Sequence, residues 1–444
     1  MAADAPRPSL GLAACTAIVI GNMVGSGFYL SPSAVAPYGL LGILFWIVMG
    51  IGAMCLGLTF ARLANRLPAT GGPYAYTRAA YGDFAGFIVA WGYWISIWAS
   101  LPLIAAAFTG SLIKLVPTFQ GNRPVAVAIT LGAIWFVTLM NLRGVKAAGR
   151  FAEITTYAKL VPFGAIAILG LPWVHFSQIA EFNPSGKSLL EASAALAPLT
   201  MFAYLGLESA TVPAGDVRDP RRTIPRATVL GILVAALLYV LGTIVVFGVV
   251  PRDQLVTSVA PFSDAARLMW GEWAAGLVAV AVMVSSIGAL NGWTLLMGQV
   301  PMAAANDHLF PEVFGRLSSR NVPAIGIMLS AALATGLVLV QALGAQRWTA
   351  IYTMLVSLAT MTGVISYVFC ALADGLIAVG GAARGVLPRI GIVEVVAFVF
   401  SIFTVYGCGP TPVLYGLLLL LFGIPVYVWQ QREHAAEVPA DRVR

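Results

Sequence analysis

A run of 54 residues without a charged side chain, between Arg7 and Arg62, constrains this chain more than any other feature. About 20 consecutive apolar residues already span a bilayer, so a run of this length must lie in lipid. Gly25-Ser26-Gly27 lies in the middle of the run. A glycine inside a helix costs about 1 kcal/mol relative to alanine. The pattern therefore predicts a first helix that is broken where it lines a cavity, since lipid cannot satisfy freed backbone groups.

The rest of the chain has the composition of a membrane protein. Of its 444 residues, 59% are hydrophobic and 10% are charged, against about 25% charged residues in soluble domains. The apolar stretches are too long for strands and lack the alternation of a membrane β-barrel, so we expect an all-α bundle. They predict twelve membrane-spanning helices, near residues 10–31, 40–61, 85–113, 124–142, 155–174, 194–213, 227–250, 274–300, 323–343, 350–373, 391–408 and 411–430.

The net charge of +7 is a signal of topology. If the amino terminus is cytoplasmic, 19 of the 25 Lys and Arg residues lie on the inner side of these twelve helices. The positive-inside rule then predicts that both termini are cytoplasmic. This distribution explains the excess of Lys and Arg over acidic residues, so we expect no nucleic acid as a partner. Four scattered cysteines and three loop or tail histidines offer neither metal-ligand spacing nor a catalytic cluster, so we expect no metal, no cofactor and no enzyme.

The sixth predicted helix is interrupted like the first, because Gly206 stands close to Glu208 near its middle. Matched interruptions in two halves of a chain indicate an inverted repeat with a binding site at its interface. Helices one to five and six to ten would be the repeats, with two helices appended. We expect a single transporter domain, divided into repeats near 10–174 and 194–373, helices eleven and twelve near 391–430, and a cytoplasmic tail at 431–444.

Several side chains at bilayer depth are candidates for chemistry. Amide groups at an unwound Gly25-Ser26-Gly27 favour an anion such as an amino-acid carboxylate, and the carbonyls that end the inner half favour an ammonium group. The alternative is close helix packing through Gly21 and Gly25. Glu208 attracts a cation, exchanges a proton or braces the unwound backbone. Lys159 either snorkels to the cytoplasmic edge or bonds carbonyls of the broken first helix, where a coupling sodium ion would otherwise lie.

Aromatic residues supply a second set of candidates. Trp293, Tyr93 and Phe202 are able to form a box that holds a cation through the negative faces of the rings. A tryptophan in a membrane helix also serves as a packing residue, so this role stays open. Ser357 is a polar group in a charge-free stretch of the tenth helix, where it either faces the site or bonds its own helix backbone.

Six stretches, in this order along the whole chain, resemble the basic amino acid/polyamine antiporters of the amino acid–polyamine–organocation superfamily. Within that branch the arginine/agmatine exchangers of bacteria are the most similar. The resemblance implies five-plus-five inverted repeats and sodium-independent exchange by alternating access, in a multi-pass protein of the bacterial inner membrane surrounded by lipid and forming a homodimer. The stretches are Gly21–Gly27, Gly71–Tyr76, Gly206–Ala210, Asp219–Pro225, Ala260–Phe262 and Gly292–Leu296.

The resemblance also implies roles for individual positions. Asn22, Ser26 and Gly27 would surround the α-carboxylate of the substrate. Trp293 would stack on its middle and Ser357 would contact its polar end.

Three further positions complete this set of implied roles. Leu205 would contribute a backbone carbonyl, Glu208 would be a proton-sensitive element, and Tyr93 would belong to a gate layer. Lys159 resembles other branches of the superfamily, in which a lysine of the fifth helix replaces a sodium ion.

Three positions depart from the arginine/agmatine pattern, in which tryptophan, asparagine and tyrosine stand where this chain has Phe202, Leu101 and Ile365. The changes remove polar partners for a guanidinium group, and a site built to bond a polar group discriminates strongly against mismatched substrates. The first hypothesis is exchange of a cationic amino acid for its decarboxylated amine, arginine and agmatine by resemblance. The second is proton-coupled transport or exchange of a neutral amino acid.

Overall fold

Helices make up almost all of the regular structure in the computed structural model, which describes residues 10–437 except 70, 213, 215–216, 344–347 and 381–389. In this described part of the chain, the β-type pairing is a single isolated bridge between Leu10 and Val217. The α-helices are α1 (Leu12–Met23), α2 (Ser26–Tyr29), α3 (Ser31–Val35), α4 (Leu40–Arg66), α5 (Pro73–Tyr81), α6 (Asp83–Leu115), α7 (Arg123–Asn141), α8 (Val145–Leu169), α9 (Phe176–Ile179), α10 (Leu189–Tyr204), α11 (Pro220–Val249), α12 (Arg252–Leu255), α13 (Pro261–Trp270), α14 (Glu272–Asn306), α15 (Ala324–Leu343), α16 (Trp348–Gly380), α17 (Ile392–Gly407), α18 (Pro410–Leu421) and α19 (Gly423–Glu437).

The predicted all-α membrane fold is confirmed. Over the described residues, eight helical segments are long and apolar enough to cross a membrane. Four shorter apolar helices accompany them, and each of the twelve predicted stretches overlaps one of these twelve segments. The number of membrane crossings and the inverted repeat remain predictions. The four shorter helices are Leu12–Met23, Ile154–Leu169, Leu189–Tyr204 and Ile392–Gly407.

The sixth predicted span is interrupted beside Gly206, as the sequence predicted, and its helix does not resume in residues 205–212. α10 stops at Tyr204, and residues 205–212 form successive turns in its place. Gly206 has φ of 98°, in the left-handed region that residues with a Cβ rarely adopt. Glu208, expected near the middle of a helix, therefore lies on a non-helical segment at the end of one.

Several helices extend beyond the stretches predicted from hydropathy. α8 begins at Val145, ten residues before its predicted span, and α19 continues to Glu437, so the start of the expected tail is helical. The added segments carry charged residues, which helices tolerate well in water. Hydropathy marks only the part of a helix that fits in lipid.

Two long helices, α6 and α14, lie inside the bundle, while others form its periphery. In their most apolar stretches, 78% of α6 and 61% of α14 is buried, against 28% of α7 and 33% of α15. Of the interrupted helices, α1 packs against α14, whereas α10 packs against α4, α16 and α17. α7 and α15 face the surrounding lipid.

Ion pairs fasten the end of α4 to α16, the last helix of the predicted repeats, and to α17, the first appended helix. Arg66 Nε lies 2.7 Å from Asp374 Oδ1 of α16. The two groups form an ion pair, because their orientation does not suit a hydrogen bond. Arg62 pairs with Glu394 of α17. Both carboxylates are buried and both arginines are half exposed. A buried carboxylate costs free energy unless it is paired, so these arginines fix how α4 meets α16 and α17.

Arg66→Gln leaves the buried carboxylate of Asp374 without its cation. We expect the free energy of unfolding to fall by about 1–3 kcal/mol, measured as a lower thermal unfolding temperature of the detergent-purified protein. Adding Asp374→Asn should recover most of the loss. Arg222→Gln is the control, since its pair with Asp219 is exposed and 3.8 Å long. Equal unfolding temperatures for Arg66→Gln and the wild type would contradict this role.

Candidate functional site

The first helix is broken at Val24 and Gly25, between α1 and α2. The last four carbonyls of a helix have no partner inside it, and no water reaches this depth to replace one. Here the side chain of Lys159 supplies partners. Its Nζ donates to the carbonyls of Gly21 and Val24, at 2.8 Å in each case. The break is thus held by a cation that the protein itself provides.

Lys159 points into the bundle and is fully buried. Of the two orientations left open by the sequence, the structure shows the inward one, and snorkelling to the cytoplasmic edge does not occur. Thr156, one turn earlier in α8, donates to the carbonyl of Ala17 at 3.2 Å. The carbonyls of Gly21 and Val24 therefore bind the ammonium group of the protein, where the sequence analysis expected that of a ligand.

The other freed carbonyls of α1 are also bonded. The carbonyl of Asn22 accepts from the indole Nε1 of Trp293 at 3.3 Å. That of Met23 accepts from the amide of Gly25 at 2.9 Å. Because each carbonyl from residue 21 to residue 24 has a donor, the broken end of α1 carries no unsatisfied acceptor at this point.

Two residues that the sequence reasoning missed also hold the break. The hydroxyl of Ser285, in α14, donates to the carbonyl of Val24 at 3.3 Å, and Tyr29 lies 3.4 Å from the same oxygen. Tyr29 and Ser285 are also hydrogen-bonded to each other. Neither residue belongs to a charged or glycine motif, and only the fold brings Ser285 to the first helix. One carbonyl thus joins α2, α8 and α14.

Small residues at the break allow close packing as well. A Cβ on Gly21 would lie 2.9 Å from Thr156 Oγ1, and one on Gly25 would lie 3.2 Å from Ala289. The alternative reading, helix packing through these two glycines, therefore describes the structure too. Packing and a broken backbone occur together, since the close approach is what brings Lys159 to the carbonyls.

The two interrupted helices meet directly. Asn22 Nδ2 donates to Ser209 Oγ at 2.8 Å, and Ser209 Oγ donates to the carbonyl of Gly206 at 2.5 Å. A Cβ on Gly206 would lie 2.9 Å from the Cβ of Asn22, and one on Gly292 would lie 2.0 Å from Asn22 Oδ1. Glycines on both sides thus make room for Asn22, which links the breaks.

Glu208 is fully buried and held by two tyrosines. Tyr93 donates to its Oε1 and Tyr367 donates to its Oε2. Tyr93 belongs to α6 and Tyr367 to α16, so the carboxyl joins the turns after α10 to both helices. Sequence reasoning missed Tyr367, whose position in a long apolar helix gives no sign of this contact.

A small cavity lies between the broken helices, α6 and α14. Its volume is about 10 Å³, roughly the space of one water molecule. Because the cavity is this small, the site is closed to a molecule the size of an amino acid. Phe202 and Trp293 both line it. The lining residues are Asn22, Met23, Gly25, Gly27, Ser100, Ile104, Phe202, Ala289 and Trp293.

Five of the proposed substrate contacts thus line one cavity: Asn22, Gly25, Gly27, Phe202 and Trp293.

Other proposed residues lie elsewhere. Ser357 and Leu205 are buried but do not line the cavity. The side chain of Ser26 lies outside the part of the chain that the structure describes. Tyr93, Glu208 and Lys159 brace the surrounding helices.

Two of the departures from the arginine/agmatine pattern also fall outside the cavity wall. Leu101 is buried in the main apolar core, and its neighbour Ser100 lines the cavity instead. Ile365 packs against Met361, Cys408 and Leu420. Of the three departures, only Phe202 lies on the wall in this closed structure.

The fold and these two breaks are those of a membrane transporter. The sequence profile of the amino acid permeases matches residues 10–427, and the chain belongs to this family of the amino acid–polyamine–organocation superfamily. The members of this family are transporters, so the chain is a multi-pass membrane transporter and not an enzyme.

Relatives with assigned substrates are similar over most or all of the chain. The putrescine transporter PotE of Haemophilus influenzae is 30% identical over 433 residues, 96% of this chain and 97% of that protein. The cadaverine/lysine antiporter of Escherichia coli K12 is 34% identical over 331 residues, 74% of each chain. PotE of Escherichia coli K12 is 28% identical over 433 residues, 96% of each chain.

Gly292→Ala should place a methyl group against the amide of Asn22. Overpacking of this kind costs about 1–3 kcal/mol, so we expect a lower thermal unfolding temperature of the purified protein. Gly276→Ala, in the same helix, is the matched control, because its nearest neighbour would be 3.9 Å away. Asn22→Ala combined with Gly292→Ala should remove the clash and show a coupling between the two changes. Equal unfolding temperatures for both glycine variants would contradict the assigned contact.

Proposed function

We propose that this transporter exchanges a cationic amino acid for its decarboxylated amine across the bacterial inner membrane. The observation that carries the proposal is the cavity at the meeting point of the two broken helices, which both Phe202 and Trp293 line. Aromatic faces attract ammonium and guanidinium groups. Amide groups at the start of α2 favour a carboxylate, so the cavity offers features for both ends of an amino acid.

The pair of substrates follows from the relatives and from Phe202. The proteins named above are a putrescine transporter and a cadaverine/lysine antiporter, which favours substrates with a terminal ammonium group. The arginine/agmatine pair expected by resemblance is the guanidinium member of the same class. Phenylalanine at position 202 offers a ring face without the indole N–H, which suits an ammonium group as well as a guanidinium group.

Lys159 and Glu208 are proposed to couple substrate to conformation. Lys159 supplies the positive charge at the first break, which makes a sodium ion unnecessary at the same carbonyls. Glu208 is proposed as the proton-sensitive element and Tyr93 as part of a gate layer, since their hydrogen bond spans two helices that must separate when the site opens. Ser26, Leu205 and Ser357 are proposed to join the site in an open conformation.

The exchanger is proposed to have both termini in the cytoplasm and to form a homodimer. The first part is supported by the distribution of Lys and Arg, of which 19 of 25 would lie inside. The bridge between Leu10 and Val217 puts the amino terminus and the loop after the sixth span at the same end of the bundle. The homodimer rests on family resemblance.

Exchange is tested with purified protein in proteoliposomes. Uptake of labelled lysine, arginine and leucine is measured into vesicles preloaded with cadaverine, putrescine or agmatine, and into vesicles loaded with buffer alone. We expect uptake of lysine or arginine only when an amine is inside, because exchange requires a return substrate at each cycle. The preload that works best identifies the pair.

Trp293→Ala supplies the site-specific comparison in the same assay. Loss of an aromatic–cation contact worth about 2 kcal/mol when desolvated should lower uptake by at least about tenfold, while Gly276→Ala remains at wild-type level. Leucine uptake into vesicles without amine, driven by an inward pH gradient, would reject the exchange of cations and establish the neutral alternative.

A further inference from the structure

A second, much larger cavity opens at the end of the bundle where α6 ends and α7 begins. Its volume is about 430 Å³, within the range of small-molecule sites. Apart from Arg123, Gln341 and two threonines, its wall is apolar. The lining residues are Leu30, Pro102, Ala106, Thr109, Gly110, Ile113, Arg123, Ala126, Val127, Thr130, Val259, Val338, Gln341 and Ala342.

This cavity is separate from the site between the broken helices. Both touch α6, but at about 100° per residue Pro102 and Ala106 lie roughly 200° around the helix from Ser100 and Ile104. Ser100 and Ile104 line the small cavity, and Pro102 and Ala106 line the large one. A molecule in the large cavity therefore contacts the face of α6 turned away from the substrate.

The walls of the large cavity are reached from lipid. They are formed by α6, α7 and α15, and the last two are the peripheral helices. Val340 and Leu343 of α15, next to the lining residues Gln341 and Ala342, are 67% and 87% exposed. In a membrane, these exposed side chains are surrounded by the acyl chains of the lipids.

The mouth of the cavity carries donors for an anion. The guanidinium group of Arg123 lines it, and its Nη2 donates to the carbonyl of Gln341 at 3.0 Å. A guanidinium group has five N–H donors and binds phosphate readily. Gln341 Nε2 is buried and has no hydrogen-bond partner among the described residues. Buried donors are nearly always bonded, so this amide points to an acceptor that a ligand brings.

We propose that this cavity is a binding site for one anionic phospholipid, with an acyl chain between α6, α7 and α15 and its phosphate on Arg123. The size and apolar wall suit a hydrocarbon chain, the guanidinium group suits the phosphate, and the amide of Gln341 suits an ester carbonyl. Leu30 follows α2 directly and forms part of the wall, so the lipid contacts the outer half of the broken first helix.

Native mass spectrometry of the full-length, delipidated protein tests this assignment. Phosphatidylglycerol and phosphatidylethanolamine with identical acyl chains are titrated separately, and oleate is the third ligand. We expect phosphatidylglycerol to bind at least about tenfold more tightly than phosphatidylethanolamine, because the headgroup ammonium of phosphatidylethanolamine offsets the charge of its own phosphate and is repelled by Arg123. Arg123→Gln should remove this preference. Ala126→Leu, which fills part of the cavity, should weaken both phospholipids.

Arg267→Gln is the matched control, an arginine of a different helix that does not line the cavity. Its partner Asp264 keeps a second cation, Lys114, at 2.6 Å, and this variant should bind phosphatidylglycerol like the wild type. Where Arg123→Gln fails to fold, Gln341→Leu and Ala126→Leu carry the test. Equal binding of the two phospholipids, or a preference that none of the cavity variants changes, would overturn the proposal. Oleate binding that depends on Arg123 without phospholipid binding would overturn it in favour of a fatty acid.

Discussion

The ammonium group of Lys159 on the carbonyls of Gly21 and Val24 is the interaction on which the rest of this structure depends. A helix broken at bilayer depth exposes carbonyls that lipid cannot satisfy. A charge buried at the same depth is also costly when it is alone. Each of these costs is offset by the other, since hydrogen bonds to a charged group contribute about 1.5–3 kcal/mol apiece. The break therefore persists because the cation is there.

Two further contacts spread this arrangement through the bundle. Asn22 joins the first break to the second through Ser209. Glu208, just before Ser209, holds α6 and α16 through Tyr93 and Tyr367. A change at one break is thereby felt at the other, and at the helices that line the cavity. Alternating access requires helices that are connected in this way, because one part of the bundle rocks against another around a fixed site.

The proposed substrate site has almost no volume in this closed structure. Under the proposed function, Phe202 and Trp293, which both line the cavity, would have to move before an amino acid enters. Contacts made when the site closes again would be available only to a molecule that fits. Selection of substrate and closure would then be one event, as in other proteins that assemble their site around the ligand.

Much of the fold was predictable from sequence, because a bilayer restricts a chain to long apolar helices. The break at Gly25 was predictable for the same reason, since glycine at that depth has a specific cost. The interruption of the sixth span near Gly206 was predicted as well, but the run of turns that follows α10 was not, because it depends on the left-handed backbone at Gly206. Tyr367, Ser285 and Tyr29 were missed as well: each is unremarkable in its own segment, and only the packing of distant helices brings them to the breaks.

The orientation of Lys159 is another feature that the sequence alone could not decide. Sequence placed a lysine about one turn into a helix and left two orientations equally open, and the close approach allowed by Gly21 decides between them. The central claim, that this lysine holds the substrate site in shape, is tested by isothermal titration calorimetry of lysine and cadaverine into Lys159→Met and wild-type protein. We expect folded Lys159→Met to lose affinity at least about tenfold, because two carbonyls lose their donor. Wild-type affinity in that variant would contradict it.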